Sequence, residues 1–253
     1  MARIGFIGTG EIAAAMVRGL AGQGHEILVS ERNADMAARL ATEVAGVRIA
    51  SNEEVVAGSD TVFLCLLARV AETVLPGLRF REDQAVISVM VDVALARLKA
   101  LCAPATEISI TIPLPPIATG GCPLPVYPAS PALEALYGAR NMVFAVRDET
   151  ALNAHFGATA LCSPLLEQML TTATWLAGFT GDADRAEKYV SAVIRGYLPE
   201  RPEGGMLAEA LRNLSTEGGL NATLRTAMAP ANADLRSGLD GFRARLGLDR
   251  GEA

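Results

Sequence analysis

The sequence predicts an α/β chain: a doubly wound parallel sheet in the N-terminal half, followed by an all-helical C-terminal domain. Three observations carry this. Short, continuous, β-branched runs alternate with helical patterns through the first half. A glycine-rich turn joins the first run to the first helical pattern, and strand signals stop at Asp148. Strand alternating with helix builds βαβ units, whose strands are covered on both faces and therefore read as unbroken apolar runs.

The expected strands are Arg3–Ile7, Ile27–Ser30, Thr61–Leu66, Ala85–Val89 and Glu107–Ile110. Between them, Glu11–Gly22, Ala34–Ala45, Val70–Leu75 and Ala94–Leu101 show helical patterns. Asn33 suits the N-cap of the second helix, because its side chain accepts from the free amides of a first turn. Ile112-Pro113-Leu114-Pro115-Pro116 ends this alternation, since proline removes the amide donor that a central strand or helix needs. Short strands are expected at Leu124–Tyr127 and Asn141–Val146. Helices are then expected over Thr150–Leu161, Pro164–Ala177, Asp182–Leu198, Met206–Leu214, Gly219–Met228 and Asn232–Leu246, with Ser163 as a candidate N-cap. Asp249–Ala253 reads as a frayed tail. The change of pattern divides the chain into residues 1–147, the alternating strand–helix part, and 148–253, the helical part.

Composition narrows the function. Of 253 residues, 51% are hydrophobic and 20% charged, enough apolar material for packed cores and too much for disorder. A net charge of −6 argues against nucleic acid as a partner. No apolar run approaches the roughly 20 residues that span a bilayer, the densest being Thr61–Ala68, so no membrane role is expected. The N-terminus lacks a secretory layout, and a cytoplasmic protein is expected. Four separated cysteines and two histidines predict neither a disulfide framework nor a metal site.

The chemistry-bearing motif is Gly8-Thr9-Gly10-Glu11-Ile12-Ala13. In such a turn the first glycine permits a tight bend, the second lets backbone approach a pyrophosphate, and a small residue permits close helix–strand packing. The helix that follows presents unpaired amides and the positive end of its dipole. The preceding strand and following helix are the context that the motif requires. Leu66 and Leu67, at the end of the third run, join the expected cofactor site. At the end of the second run stands Ser30-Glu31-Arg32-Asn33. Glu31 lies 21 residues after Gly10, where an acid would bind both ribose hydroxyls of NAD. Arg32, with Ser30 and Asn33, instead suits the 2′-phosphate of NADP, which a neighbouring carboxylate would repel. The balance falls to NADP, with NAD as the alternative. Asp92, at a strand end, is a further site candidate, and His25 reads as structural.

These segments together resemble the pyrroline-5-carboxylate reductase family. Arg3–Ala13 is similar to its first strand, dinucleotide loop and helix, and Ser30-Glu31-Arg32-Asn33 looks like its NADP-phosphate segment. Leu64–Leu67 and Ile87-Ser88-Val89 resemble its fourth and fifth strand ends. Ile112–Pro116, Thr159–Pro164 and Thr216-Glu217-Gly218-Gly219-Leu220-Asn221 resemble its later motifs. The resemblance implies a Rossmann domain with a helical domain behind it, NAD(P)H-dependent hydride delivery to a C=N or C=O bond, and a homodimer formed through the C-terminal half. It places the substrate at Gly218, Gly219, Leu220 and Asn221, where helix-start amides would receive a carboxylate and the Asn221 amide could bond an imine or carbonyl. His155 and Asn221 are the candidate catalytic residues, His155 as a proton donor. The departures fall at substrate positions: Leu67-Ala68 replaces a Lys-Pro, Met90-Val91-Asp92 an Ala-Ala-Gly, Leu114 an Asn, and Leu220-Asn221 two threonines. The resemblance therefore implies a small-molecule imine or carbonyl substrate without identifying it. A hydroxyacid dehydrogenase-like enzyme is the weaker alternative, because that class uses a lysine and the only lysines are Lys99 and Lys188. A dinucleotide-binding sensor or scaffold that has lost catalysis is the other.

Overall fold

The computed structural model describes residues 1–198 and 204–249. Their contacts divide into two compact units, Met1–Phe156 and Gly157–Asp249.

The first unit is built on one eight-stranded sheet. Its strands are β1 (Arg3–Ile7), β2 (Glu26–Ser30), β3 (Val47–Ala50), β4 (Thr61–Leu64), β5 (Ala85–Ser88), β6 (Glu107–Thr111), β7 (Pro123–Tyr127) and β8 (Met142–Ala145). Their order is β3-β2-β1-β4-β5-β6-β7-β8. All neighbours are parallel except β6 and β7, where Ile110 faces Tyr127 and Thr111 faces Val126 in antiparallel register. The order reverses direction between β1 and β4, which is the switch point of a doubly wound sheet. The expected Rossmann architecture is present.

Strand residues alternate between two cores. In β1, Ile4 and Phe6 pack with helices α1 (Glu11–Gly19) and α2 (Ala34–Glu43), and with α6 (Pro131–Tyr137). Ile7 points the other way, towards α3 (Asn52–Gly58), α4 (Ala68–Val74) and α5 (Leu95–Leu101). Phe6 stacks on Phe63 of β4, their centroids 4.9 Å apart, and Tyr137 meets Phe63 edge-on. The buried Tyr137 hydroxyl donates to the Met16 carbonyl at 3.0 Å, which ties α6 to α1. Asn33 caps α2 as expected, accepting from Met36 N.

Three elements escape the sequence reading: β3, α3 and α6. β3 is a four-residue edge strand in which Ile49 is 45% exposed, so no continuous apolar run marks it. Both helices do carry start signals. Ser51 and Glu54 form a reciprocal capping box on α3, and Ser130 caps α6 with Pro131 in its first turn.

The unit boundary falls inside α7 (Glu149–Thr159) rather than at Arg147. The reason is packing: Glu149 Oε1 accepts from Leu95 N at 3.1 Å, capping α5, and Leu152 is fully buried in the core. Asp92 does not cap α5; Ala94 holds the N-cap position without a side-chain bond, and Asp92 is exposed. His25 accepts from Ala2 N through Nδ1 at 3.3 Å. Burial, helped by the positive N-terminus, holds its pKa below the ordinary histidine value, which suits a neutral structural ring.

The second unit is helical, with α8 (Cys162–Thr180), α9 (Ala183–Gly196), α10 (Met206–Asn213), α11 (Leu220–Ala227) and α12 (Ala229–Asp240). α8 begins at Cys162 with Leu161 at the N-cap position, so Ser163 lies inside the first turn and is not the cap. α8 ends at Gly181, whose φ of 70° is left-handed, and Asp182 caps α9. α12 starts earlier than expected because Pro230 occupies its first turn, and it ends before Gly241. Arg243 Nε donates to Asp249 Oδ1 at 2.8 Å, tying down the start of the expected tail; residues 250–253 lie outside the described residues. Many large apolar side chains of this unit face solvent, among them Trp175, Phe179, Leu207, Leu211, Leu220 and Leu224.

Candidate functional site

A cleft of about 590 Å³ opens at the carboxyl ends of β1, β2 and β4, at the switch point. Gly8, Thr9, Gly10, Arg32, Asn33, Leu66 and Leu67 line it, so the structure gathers residues that lie far apart in sequence. Ala34, Asp35, Cys65 and Val70 also line it and were not singled out from sequence. The Asn33 cap is the signal that could have found Ala34 and Asp35, because it fixes where α2 begins, beside Arg32.

The two glycines of the loop have different reasons to be glycine. Gly8 has a φ of +92°, and a Cβ there would sit 2.3 Å from the Cys65 carbonyl oxygen. Backbone conformation and close approach both forbid a side chain. Gly10, the N-cap of α1, has φ −92° and ψ −172°, extended backbone that any residue adopts. A Cβ there would meet nothing within 4 Å. The fold does not require glycine at position 10; the space in front of it is kept open. Ala14 N is bonded to the Gly10 carbonyl, so the amides of Glu11, Ile12 and Ala13 precede the helical ladder at this end of α1.

Ser30 is 2% exposed and sits behind the loop, its Oγ accepting from Gly8 N at 2.8 Å. Glu11 and Glu31 are exposed and Ile12 is half-buried; neither they nor Ser30 are among the residues lining the cleft. Burial pushes the Cys65 thiol up to about 12, so it stays protonated and is not a nucleophile at neutral pH.

Other candidates lie elsewhere. His155, on α7, is exposed, with Nδ1 2.7 Å from the Ala151 carbonyl oxygen and its ring 5.6 Å from that of Phe144. It is not among the cleft residues. Gly218, Gly219, Leu220 and Asn221 form the start of α11 in the second unit. Gly218 has a φ of +73°, Gly219 is the N-cap, and Leu220 and Asn221 are exposed. Thr223 N bonds the Gly219 carbonyl, so the preceding amides lie before the helical ladder. Met90 is 5% exposed in the core beside Ile7 and Leu64, and it is not among the residues lining the cleft. Leu114 packs against the other core. Of the apolar replacements in the sheet unit, Leu67 is the one presented to the cleft. Among the described residues, no cluster of histidine, cysteine or acidic side chains could hold a metal ion, and no helix is long and apolar enough to cross a membrane.

Comparison with known proteins agrees with this geometry. Residues 3–92, which contain the glycine loop, match the family described as NADP oxidoreductase coenzyme F420-dependent. A pyrroline-5-carboxylate reductase of Pseudomonas aeruginosa is 33% identical over 103 residues, a stretch covering 39% of this chain and only 38% of that relative. The structure of 1-pyrroline-5-carboxylate reductase from Streptococcus pyogenes superposes with a TM-score of 0.78 at 20% identity, over 97% of this chain and 98% of that one. A reductive aminase from Aspergillus terreus, solved with NADPH and ethyl-5-oxohexanoate, gives 0.59 at 20% identity, over 94% and 88%. The chain is thus similar in sequence, over part of its length, to a pyrroline-5-carboxylate reductase, and shares the fold of such enzymes along nearly its whole length.

Proposed function

We propose that this chain is an NADPH-dependent reductase that delivers hydride to the carbon of a C=N or C=O bond in a small molecule. The observation that carries this reading is Gly10: a glycine required by neither backbone nor neighbours, in front of free helix amides, in a cleft at a sheet's switch point. Such amides, with the helix dipole, receive a pyrophosphate. The nicotinamide would supply the hydride; the chain's own residues bind and orient cofactor and substrate. Arg32 and Asn33 line the cleft and Glu31 does not, which favours the 2′-phosphate of NADPH over the paired hydroxyls of NADH. Thus Arg32→Ala is expected to weaken NADPH binding by about ten- to a hundredfold, the worth of a charge-assisted hydrogen bond, and to leave NADH nearly unchanged. Fluorescence titration with both cofactors tests this; equal losses would remove Arg32 from the phosphate site.

Within the same proposal, the amides at the start of α11 receive a carboxylate or similar group of the substrate, and the Asn221 side chain bonds its nitrogen or oxygen. His155 is the candidate proton donor of the same reading; its exposed ring lies beside Phe144 and is not among the residues lining the cleft. The second unit is proposed to form a homodimer. Trp175 and Phe179 pack against each other at 66% and 77% exposure, and Leu220 is 89% exposed. Apolar surface on this scale usually marks an interface. Sedimentation at micromolar concentration should give twice the mass of the 26.4 kDa chain; a monomer would exclude the dimer.

A further inference from the structure

Two buried hydroxyls join the glycine loop to the end of β2. Thr9 Oγ1 donates to the Ser30 carbonyl at 2.6 Å and lies 3.3 Å from Ser30 Oγ, which accepts from Gly8 N at 2.8 Å. Thr9 and Ser30 are 3% and 2% exposed, so water does not compete for these bonds. The Ser30 carbonyl belongs to the peptide leading into Glu31. Holding it fixes the plane from which Arg32 and Asn33 depart towards the cleft. The other end of the latch is the loop that would receive the pyrophosphate.

We propose that Thr9 and Ser30 are positioning residues that set the spacing between the pyrophosphate loop and the Arg32-Asn33 segment, and through it the preference for NADPH over NADH. The proposal rests on the cofactor reading above. A ligand gripped at two points gains from both only when their separation is fixed in advance, because ordering them on binding costs free energy. NADPH is gripped at pyrophosphate and 2′-phosphate. NADH lacks the second phosphate and gains little from a fixed spacing. Valine matches the shape of threonine but cannot donate, so Thr9→Val removes the latch bond while keeping the volume. The loop remains seated, since Gly8 still packs against the Cys65 carbonyl and Cys65 N still bonds the Ile7 carbonyl.

The experiment titrates wild-type protein, Thr9→Val, Thr9→Ser and Ser30→Ala with NADPH and with NADH, following nicotinamide fluorescence, alongside thermal melts. Thr9→Val is expected to lose NADPH affinity by about tenfold, one net hydrogen bond, and NADH affinity by less than about threefold. Thr9→Ser should restore the wild-type ratio, and Ser30→Ala should fall between. A role in stability alone would lower the melting temperature and weaken both cofactors equally; that result, or an unchanged NADPH affinity, overturns the proposal. If Thr9→Val fails to fold, Ser30→Ala reads the same ratio. Wild-type protein that binds neither cofactor overturns the cofactor reading, and the latch with it.

Discussion

Gly10→Val is expected to abolish NADPH binding while leaving the fold intact. The backbone at position 10 is extended, a conformation valine adopts readily, and no protein atom lies within 4 Å of the added Cβ. The branched side chain would instead project into the path of the pyrophosphate, in front of the amides of Glu11 and Ile12. Denying the ligand two charge-assisted bonds costs at least about a hundredfold in affinity at 1.5–3 kcal/mol each. The melting temperature should move by no more than a few degrees, because exchanging an N-cap glycine for valine costs on the order of 1 kcal/mol. The paired measurement is a melt and an NADPH titration. Unchanged affinity would remove the glycine loop from the cofactor site. At Gly8 the same substitution would be uninformative, since a clash with the Cys65 carbonyl damages the fold and the site together.

Pyrroline-5-carboxylate is expected to be a poor substrate, reduced about a hundred- to ten-thousandfold less efficiently than by a good enzyme of that type. Where the related enzymes are expected to place two threonines, this chain has Leu220, 89% exposed, and Asn221. Two hydroxyl donors are gone, one amide is gained, and a small carboxylated ring loses hydrogen bonds worth about 1.5–3 kcal/mol each. At 1.4 kcal/mol per decade, losing two gives the stated range. At the cleft itself, Leu67 is 62% exposed and apolar where the family resemblance implies a lysine. The structure withdraws Met90 from this argument, because it is buried. We therefore expect a larger or less polar imine or carbonyl to be preferred. Steady-state assays with NADPH, comparing kcat/KM for pyrroline-5-carboxylate with bulkier cyclic imines, check it. A kcat/KM for pyrroline-5-carboxylate in the range of about 10⁵ M⁻¹s⁻¹ or above would overturn it.

Local signals made most of the fold legible. β1, the glycine loop and α1 are contiguous, so strand run, turn and helix identify one another. The switch-point cleft follows from them, since Arg32 and Leu67 come at the ends of the next strands. What the sequence hid was tertiary. A serine at a strand end reads as a ligand donor, yet the Ser30 hydroxyl turns back to Gly8, 22 residues away. Met90 follows β5 at the edge where ligands bind, but its side chain packs inward with Val93 and Leu95. The edge of the sheet unit moved past Arg147 because Glu149 caps α5, a contact across 54 residues that no local pattern announces. β3 was missed for the opposite reason: an edge strand with an exposed face has little apolar run to show.

The central claim is that the cleft at Gly10 and Arg32 holds NADPH for reduction and not for sensing. The most direct measurement is the loss of NADPH absorbance when wild-type protein and Gly10→Val are each given a panel of cyclic imines and keto acids. The account predicts NADPH oxidation by the wild type on at least one imine or carbonyl, and none by Gly10→Val. Tight NADPH binding by the wild type, with no oxidation across the whole panel, would contradict it and leave a dinucleotide-binding sensor in its place.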